Sequence, residues 1–251
     1  MKRPRHDALR DEHLPHVIAQ RLAKPPGSRG VADAVLGGID GCITTFAIVA
    51  GAVGAGLSSS VALILGFANL IADGFSMAVS NYESVKVHSE LRENIRRTEE
   101  EHIDAMPLGE REEVRQIFRK KGFEGETLER IVDTISSNRK IWIETMLMEE
   151  HGLQRVLATP WHSGAVTFAA FVCAGTIPLL PLLFDGWTMQ QRFVISAVLA
   201  GMVFFSIGLL KSAASGRPEL QSGLRTLLTG GTAAGLAFLV GYLLREIVPP
   251  L

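Results

Sequence analysis

Five stretches of this chain are each apolar over about the length an α-helix needs to cross a hydrocarbon core, roughly 20 residues. They are Val31 to Ala55, Val61 to Val79, Gly164 to Phe184, Phe193 to Leu210 and Leu224 to Leu244. A buried helix of a water-soluble domain is usually shorter and keeps a polar face. These stretches carry Gly, Ala and Ser instead, as in Ala47 to Gly56 and Gly230 to Gly235. Small residues let membrane helices pack closely where no hydrophobic force drives them together. The pattern predicts an all-α polytopic membrane protein with five transmembrane helices. Its composition, 47% hydrophobic and 20% charged, excludes a disordered or collagen-like chain. A net charge of -1 argues against nucleic acid as a partner. Cys42 and Cys173 lie far apart inside apolar stretches, which suits neither a disulfide framework nor a Cys-rich zinc site; both read as buried small hydrophobes.

Charge is concentrated in one place. Between Glu83 and Pro160 lie 17 of the 26 acidic and 13 of the 25 basic residues. The chain therefore divides into an N-terminal arm (1–30), spans 1 and 2 (31–82), a charged insert (83–160) and spans 3 to 5 (161–251). The arm carries Lys2, Arg3, Arg5, Arg10, Arg21, Lys24 and Arg29, and Lys211 to Arg225 holds three basic residues, whereas Gly56 to Ser60 holds none. The positive-inside rule then puts the arm, the insert and the Lys211 to Arg225 loop in the cytoplasm. The arm has no apolar core before a small-residue cleavage site and does not read as a secretory signal. Within the insert, helical spacing carries the second span past Tyr82 to near Met106. A second helix starts at Pro107 and stops at Gly122. A third starts near Glu126 and reaches Val156, with Ser136, Ser137 and Asn138 as a point of interruption. The insert is thus expected to be a cytoplasmic three-helix module.

Carboxylates inside a span are costly and mark a cavity, a partner or a pathway. Asp33 and Asp40 are two helical turns apart and share a face of the first span; Asp73 and Met77, spaced i,i+4, share a face of the second. At about 1.5 Å per residue, Asp40 and Asp73 fall at similar depth in the cytoplasmic half. A thioether beside carboxylates favours a first-row transition metal over calcium or magnesium. In the insert, Glu99 and His102 are i,i+3 on the first helix and Glu110 and Glu113 are i,i+3 on the second. Met146, Glu149 and Glu150 fall within a turn on the third. Each helix offers ligands on one face, as bundle metal sites require. The bland alternative is a solvated acidic surface in which Glu110 or Glu113 pairs with Arg111 or Arg115.

Two segments carry a resemblance. Asp40-Gly41-Cys42-Ile43-Thr44-Thr45-Phe46-Ala47 followed by Val49-Ala50-Gly51, and Ala68-Asn69-Leu70-Ile71-Ala72-Asp73-Gly74-Phe75-Ser76-Met77, resemble the first- and second-span motifs of the vacuolar iron transporter family, which includes nodulin-21-like proteins. The similarity extends over residues 28 to 248, including Glu110 to Gly122 and Trp142 to Gly152. The resemblance implies a homodimer of five-span subunits whose first spans line a metal path, with proton-coupled export of ferrous iron from the cytoplasm. It implies Asp33, Asp40 and Met77 as pathway residues, and Glu99, His102, Glu110, Glu113, Met146 and Glu150 as a cytoplasmic metal-binding module. The family pattern often has a carboxylate where this chain has Asn69, an acidic residue at His102 and a second methionine at Leu147. The first departure bears on the entrance ligand and on proton coupling, the second on metal preference.

The expectation is thus a transporter and not an enzyme, with no resident cofactor. Its partners are lipid, protons and a divalent ion: Fe2+ or Mn2+ as cargo, with Zn2+ also accepted at the module. It would sit in the inner membrane of a bacterium or the vacuolar membrane of a eukaryote. Two rivals are weighed against it. A membrane-anchored metal buffer or sensor would leave five spans with intramembrane carboxylates unexplained. A di-iron oxidase would need paired Glu-x-x-His motifs, and Glu99 to His102 supplies the spacing only once in the insert.

Overall fold

The computed structural model describes residues 5–23, 29–154, 159–215 and 218–247. Among them the chain is helical, without strands. Helices α1 (Arg5–Glu12) and α2 (Pro15–Ala23) precede α3 (Arg29–Gly54), then α4 (Ser59–Ala105), α5 (Pro107–Lys120), α6 (Gly125–Ser136) and α7 (Arg139–Glu149). They are followed by α8 (Pro160–Thr176), a 3-10 helix (Ile177–Leu183), α9 (Met189–Ser215) and α10 (Glu219–Ile247). The chain forms two compact units, Met1–Asn81 with Trp161–Leu251, and Tyr82–Pro160.

The first unit contains helices long and apolar enough to cross a membrane: α3, α4, α8 with its 3-10 extension, α9 and α10. Its inward side chains include Cys42, Phe46, Val49, Leu70, Phe171 and Phe204. Large apolar side chains also point outward, among them Ile64, Ile71, Phe75, Val194, Met202 and Leu228. An apolar exterior of that extent suits hydrocarbon and not water. Close packing of α3 on α8 depends on absent side chains. A Cβ on Gly37 would stand 2.2 Å from the Thr167 carbonyl oxygen, and one on Gly41 2.3 Å from that of Phe171.

The third apolar stretch is not one α-helix to Phe184. It tightens into a 3-10 helix after Thr176, because Pro178 and Pro181 lack the N–H that an α-helical ladder needs. Cys42 is buried but Cys173 is exposed. Cys173 lies on the outward side of α8, where an apolar residue satisfies a lipid-facing surface as well as a core.

The second unit is built from the charged part of α4 with α5, α6 and α7. Its core is Ile103, Val114, Leu128, Val132, Ile135, Trp142, Ile143, Met146 and Leu147. In α6, Leu128, Val132 and Ile135 are buried at i, i+4 and i+7, the stripe that a 3.6-residue period produces. The interruption expected at Ser136, Ser137 and Asn138 is present and separates α6 from α7. Asn138 caps α7, its side chain accepting from the backbone N–H of Lys140 at 3.1 Å and Ile141 at 3.2 Å. That cap satisfies N–H groups left free at a helix start and stabilises the break. Helix α7 ends at Glu149; Val156 lies outside the described residues. The unit therefore has four helical segments where three were expected.

Candidate functional site

In the first unit, α3 and α4 bring polar groups together at two levels. Asp33 is only 5% exposed. The Asn81 amide donates to Asp33 Oδ1 at 2.9 Å, to Thr167 Oγ1 at 2.8 Å and to the Ser163 carbonyl at 3.4 Å. Asp33 Oδ2 is buried without a partner. Two turns on, the Asp40 carboxylate lies within repulsive range of Asp73. Beside them Asn69 Nδ2 donates to Thr44 Oγ1 at 3.3 Å, and Thr44 donates to the Asp40 carbonyl at 2.9 Å. Met77 packs, partly buried, against the core of this unit. Asn69 is thus an amide that ties α4 to α3 one turn from Asp40.

In the second unit the acidic residues of three helices share one neighbourhood. The side chain of Glu99 is 3% exposed and that of Glu110 5%, and each has an oxygen, Oε2, that is buried without a hydrogen-bond partner. His102 is more exposed, with Nδ1 3.5 Å from Glu110 Oε1. Burial first, then the charges of Glu113 and Glu99, push the Glu110 carboxyl up to about 7, against the opposing pull of His102. Burial likewise raises Glu150; His151 opposes this, and Glu113 and Glu99 reinforce it. Met146 is fully buried in the core of the unit. Glu149 points elsewhere, to Lys121 Nζ at 2.5 Å, and so stands apart from Glu99 and Glu110.

The arginines that offered a bland explanation are committed to other partners. Arg115 pairs with Glu129 at 2.8 Å and with Glu112, and Arg111 pairs with Asp133 and donates to Ser136 at 2.8 Å. The bonds to Glu129, Asp133 and Ser136 tie α5 to α6. Arg92 is held by Glu144 at 2.6 Å and Arg139 by Asp104, tying α4 to α7. The basic residues thus brace the scaffold while the buried carboxylates keep unpartnered oxygens. Burying such charge is costly unless it is paired or binds a metal. The arrangement is chemically suited to a divalent cation.

Sequence reasoning missed His151. Its Nε2 lies 3.0 Å from Glu99 Oε1 and 3.7 Å from Glu150 Oε2. Face counting on an ideal helix does not find it, because α7 has already ended. The N–H of His151 bonds to the Met146 carbonyl at 3.3 Å and that of Leu153 to Leu147 at 2.8 Å. Gly152 takes φ +65, a conformation open to glycine. The available signal was that glycine, a helix-ending residue directly after the histidine.

The sequence pattern of the VIT family matches residues 31–242. A vacuolar iron transporter of Toxoplasma gondii is 34% identical over 225 residues, covering 85% of this chain and 74% of its own. One from Centaurea cyanus is 33% identical over 210 residues, covering 83% and 85%. Vacuolar iron transporter 1 of Arabidopsis thaliana is 31% identical over 245 residues, covering 97% and 94%.

Proposed function

From the premise that this chain belongs to the VIT family, we propose that it is a multi-pass membrane transporter that moves divalent iron out of the cytoplasm in exchange for protons, for storage or detoxification. Manganese is the alternative cargo, since both ions accept these donors. The observation that carries the reading is the pair of buried, unpartnered carboxylate oxygens on Glu99 and Glu110. It is joined by Asp40 and Asp73, near enough for their charges to repel, on two helices long enough to cross a membrane.

In this mechanism the insert gathers the metal ion from the cytoplasm, with Glu99, Glu110, Glu113 and Glu150 supplying negative charge and His102 and Met146 softer donors. The ion then enters the membrane path at the level of Asp40, Asp73 and Met77, between the two subunits of a homodimer. Protons from the far side displace it there, because metal and proton compete for the same carboxylate oxygens. Asp33, bonded by Asn81, ties the first turns of α3 and the start of α8 to the middle of α4 and sets the approach to Asp40. No step makes or breaks a covalent bond, so the protein acts as a carrier and not an enzyme.

The buffer or sensor reading has one observation in its favour: residues 82–160 form a compact unit with their own core. Ferrous iron uptake into proteoliposomes, with internal pH followed under an imposed gradient, separates the two. Uptake that dissipates the gradient supports transport. Metal bound by the protein with no flux supports the buffer.

A further inference from the structure

Resting on the reading of the insert as the metal-gathering part of a transporter, we infer that Glu99, Glu150 and His151 form a discrete three-ligand subsite. In it the imidazole of His151 binds the ion directly and favours metals late in the first row.

The geometry is that of donors converging on one point. One ligand atom from each of the three residues lies within 4.8 Å of the other two. Donors held at about 2.1 Å from one ion stand about 3.0–3.4 Å from each other. The Glu99 to His151 separation of 3.0 Å already meets that spacing, and the Glu150 to His151 separation of 3.7 Å needs a shift of a few tenths of an ångström.

A simple hydrogen bond between Glu99 and His151 does not account for the site. It uses only Oε1 and leaves Oε2 of the same buried carboxylate without a partner. An unpartnered carboxylate oxygen held away from water is costly, and a cation seated against it removes the cost. Backbone geometry serves the same end. The turn at Gly152 closes α7 so that His151 meets Glu99 of α4, while Glu150 approaches from the adjacent position. Three ligands leave coordination positions open, which suits a site that must release its ion again.

The donor set decides which ion. Carboxylate-only sites suit Mg2+, Ca2+ and Mn2+, whereas imidazole suits Fe2+, Ni2+, Cu2+ and Zn2+, and affinity at nitrogen ligands rises along the first row. His151 thus biases the subsite towards Zn2+ and Fe2+ over Mn2+.

The test is calorimetric titration of the full-length protein in detergent with Zn2+ and with Mn2+, for wild type and His151→Gln. Thermal melting is used to check the fold. His151→Gln is expected to weaken Zn2+ binding by about tenfold or more and Mn2+ binding by less than about threefold. An unchanged Zn2+ to Mn2+ ratio overturns the subsite. Should His151→Gln fail to fold, pulsed EPR of Cu2+, an ion that imidazole suits, bound to His102→Gln protein decides, since the imidazole left among the insert's proposed ligands is His151. Nitrogen coupling supports ligation, and its absence overturns it. Iron flux is measured on the same preparations. An unchanged ratio with intact flux removes the subsite alone. Absent flux in wild type removes the transport reading and leaves the ligand decided by the titrations.

Discussion

Lowering the pH from 8 to 6 is predicted to release metal from the insert, and Glu110 supplies the magnitude. Its carboxyl is pushed up to about 7, by burial first and then by Glu113 and Glu99. The ionised fraction is therefore about nine-tenths at pH 8, half at pH 7 and one-tenth at pH 6. Only the ionised carboxylate binds the ion, so apparent affinity falls about tenfold over that range from this one group. An ordinary glutamate, titrating at about 4.3, remains almost fully ionised throughout and contributes no such loss. Burial raises Glu150 as well, which adds to the effect in the same direction. The assay is calorimetric titration of the full-length protein with Mn2+ at pH 6, 7 and 8, comparing wild type with Glu110→Gln. The wild-type profile should be steeper by about a factor of ten across the range. Matching slopes in the two proteins would refute the reasoning, because Glu110 would then play no part in the pH dependence.

The metal-free fold should respond to pH with the opposite sense. Glu110 has its pKa raised on folding, so the folded state holds more protons, and stability falls as pH rises from about 4.5 to 7; urea denaturation of metal-free protein at pH 5 and 7.5 should show this, with a smaller difference in Glu110→Gln. Gly41→Ala places a Cβ 2.3 Å from the Phe171 carbonyl oxygen and should cost about 2 kcal/mol or more by overpacking. Gly231→Ala, with nothing within 4 Å, should be neutral or stabilising by up to about 1 kcal/mol; equal melting temperatures for the two variants in detergent would contradict the close α3 to α8 packing. Asn81→Ala leaves the buried Asp33 carboxylate without its donor and should destabilise by about 2–3 kcal/mol, read as a lower melting temperature that Asn81→Asp does not restore.

Much of this architecture was legible because hydropathy and the 3.6-residue period act over long windows. The apolar stretches and the stripes of α5 and α6 needed no knowledge of neighbours. What escaped was decided locally or by tertiary contact. Pro178 and Pro181 were visible, but apolarity alone counts prolines into a span and misses their lost N–H groups. The break at Ser136 to Asn138 was legible, but not the cap that holds it, in which the Asn138 side chain takes up the freed N–H groups of Lys140 and Ile141. That Arg111 and Arg115 reach across to α6 depends on how α5 packs. Glu99, Glu110 and Glu150 were placed by helical spacing and fall in one electrostatic neighbourhood, while Glu149, from the same turn, is turned to Lys121. His151 was missed because the rule that found its neighbours assumes a helix that has already ended.

The central claim is transport through the carboxylates of α3 and α4. Ferrous iron uptake into proteoliposomes under a pH gradient, wild type against Asp40→Asn, tests it most directly. Uptake that dissipates the gradient in wild type and is abolished by Asp40→Asn, with the variant folded and its insert still binding metal, is the predicted result. Wild-type rates in Asp40→Asn would contradict it.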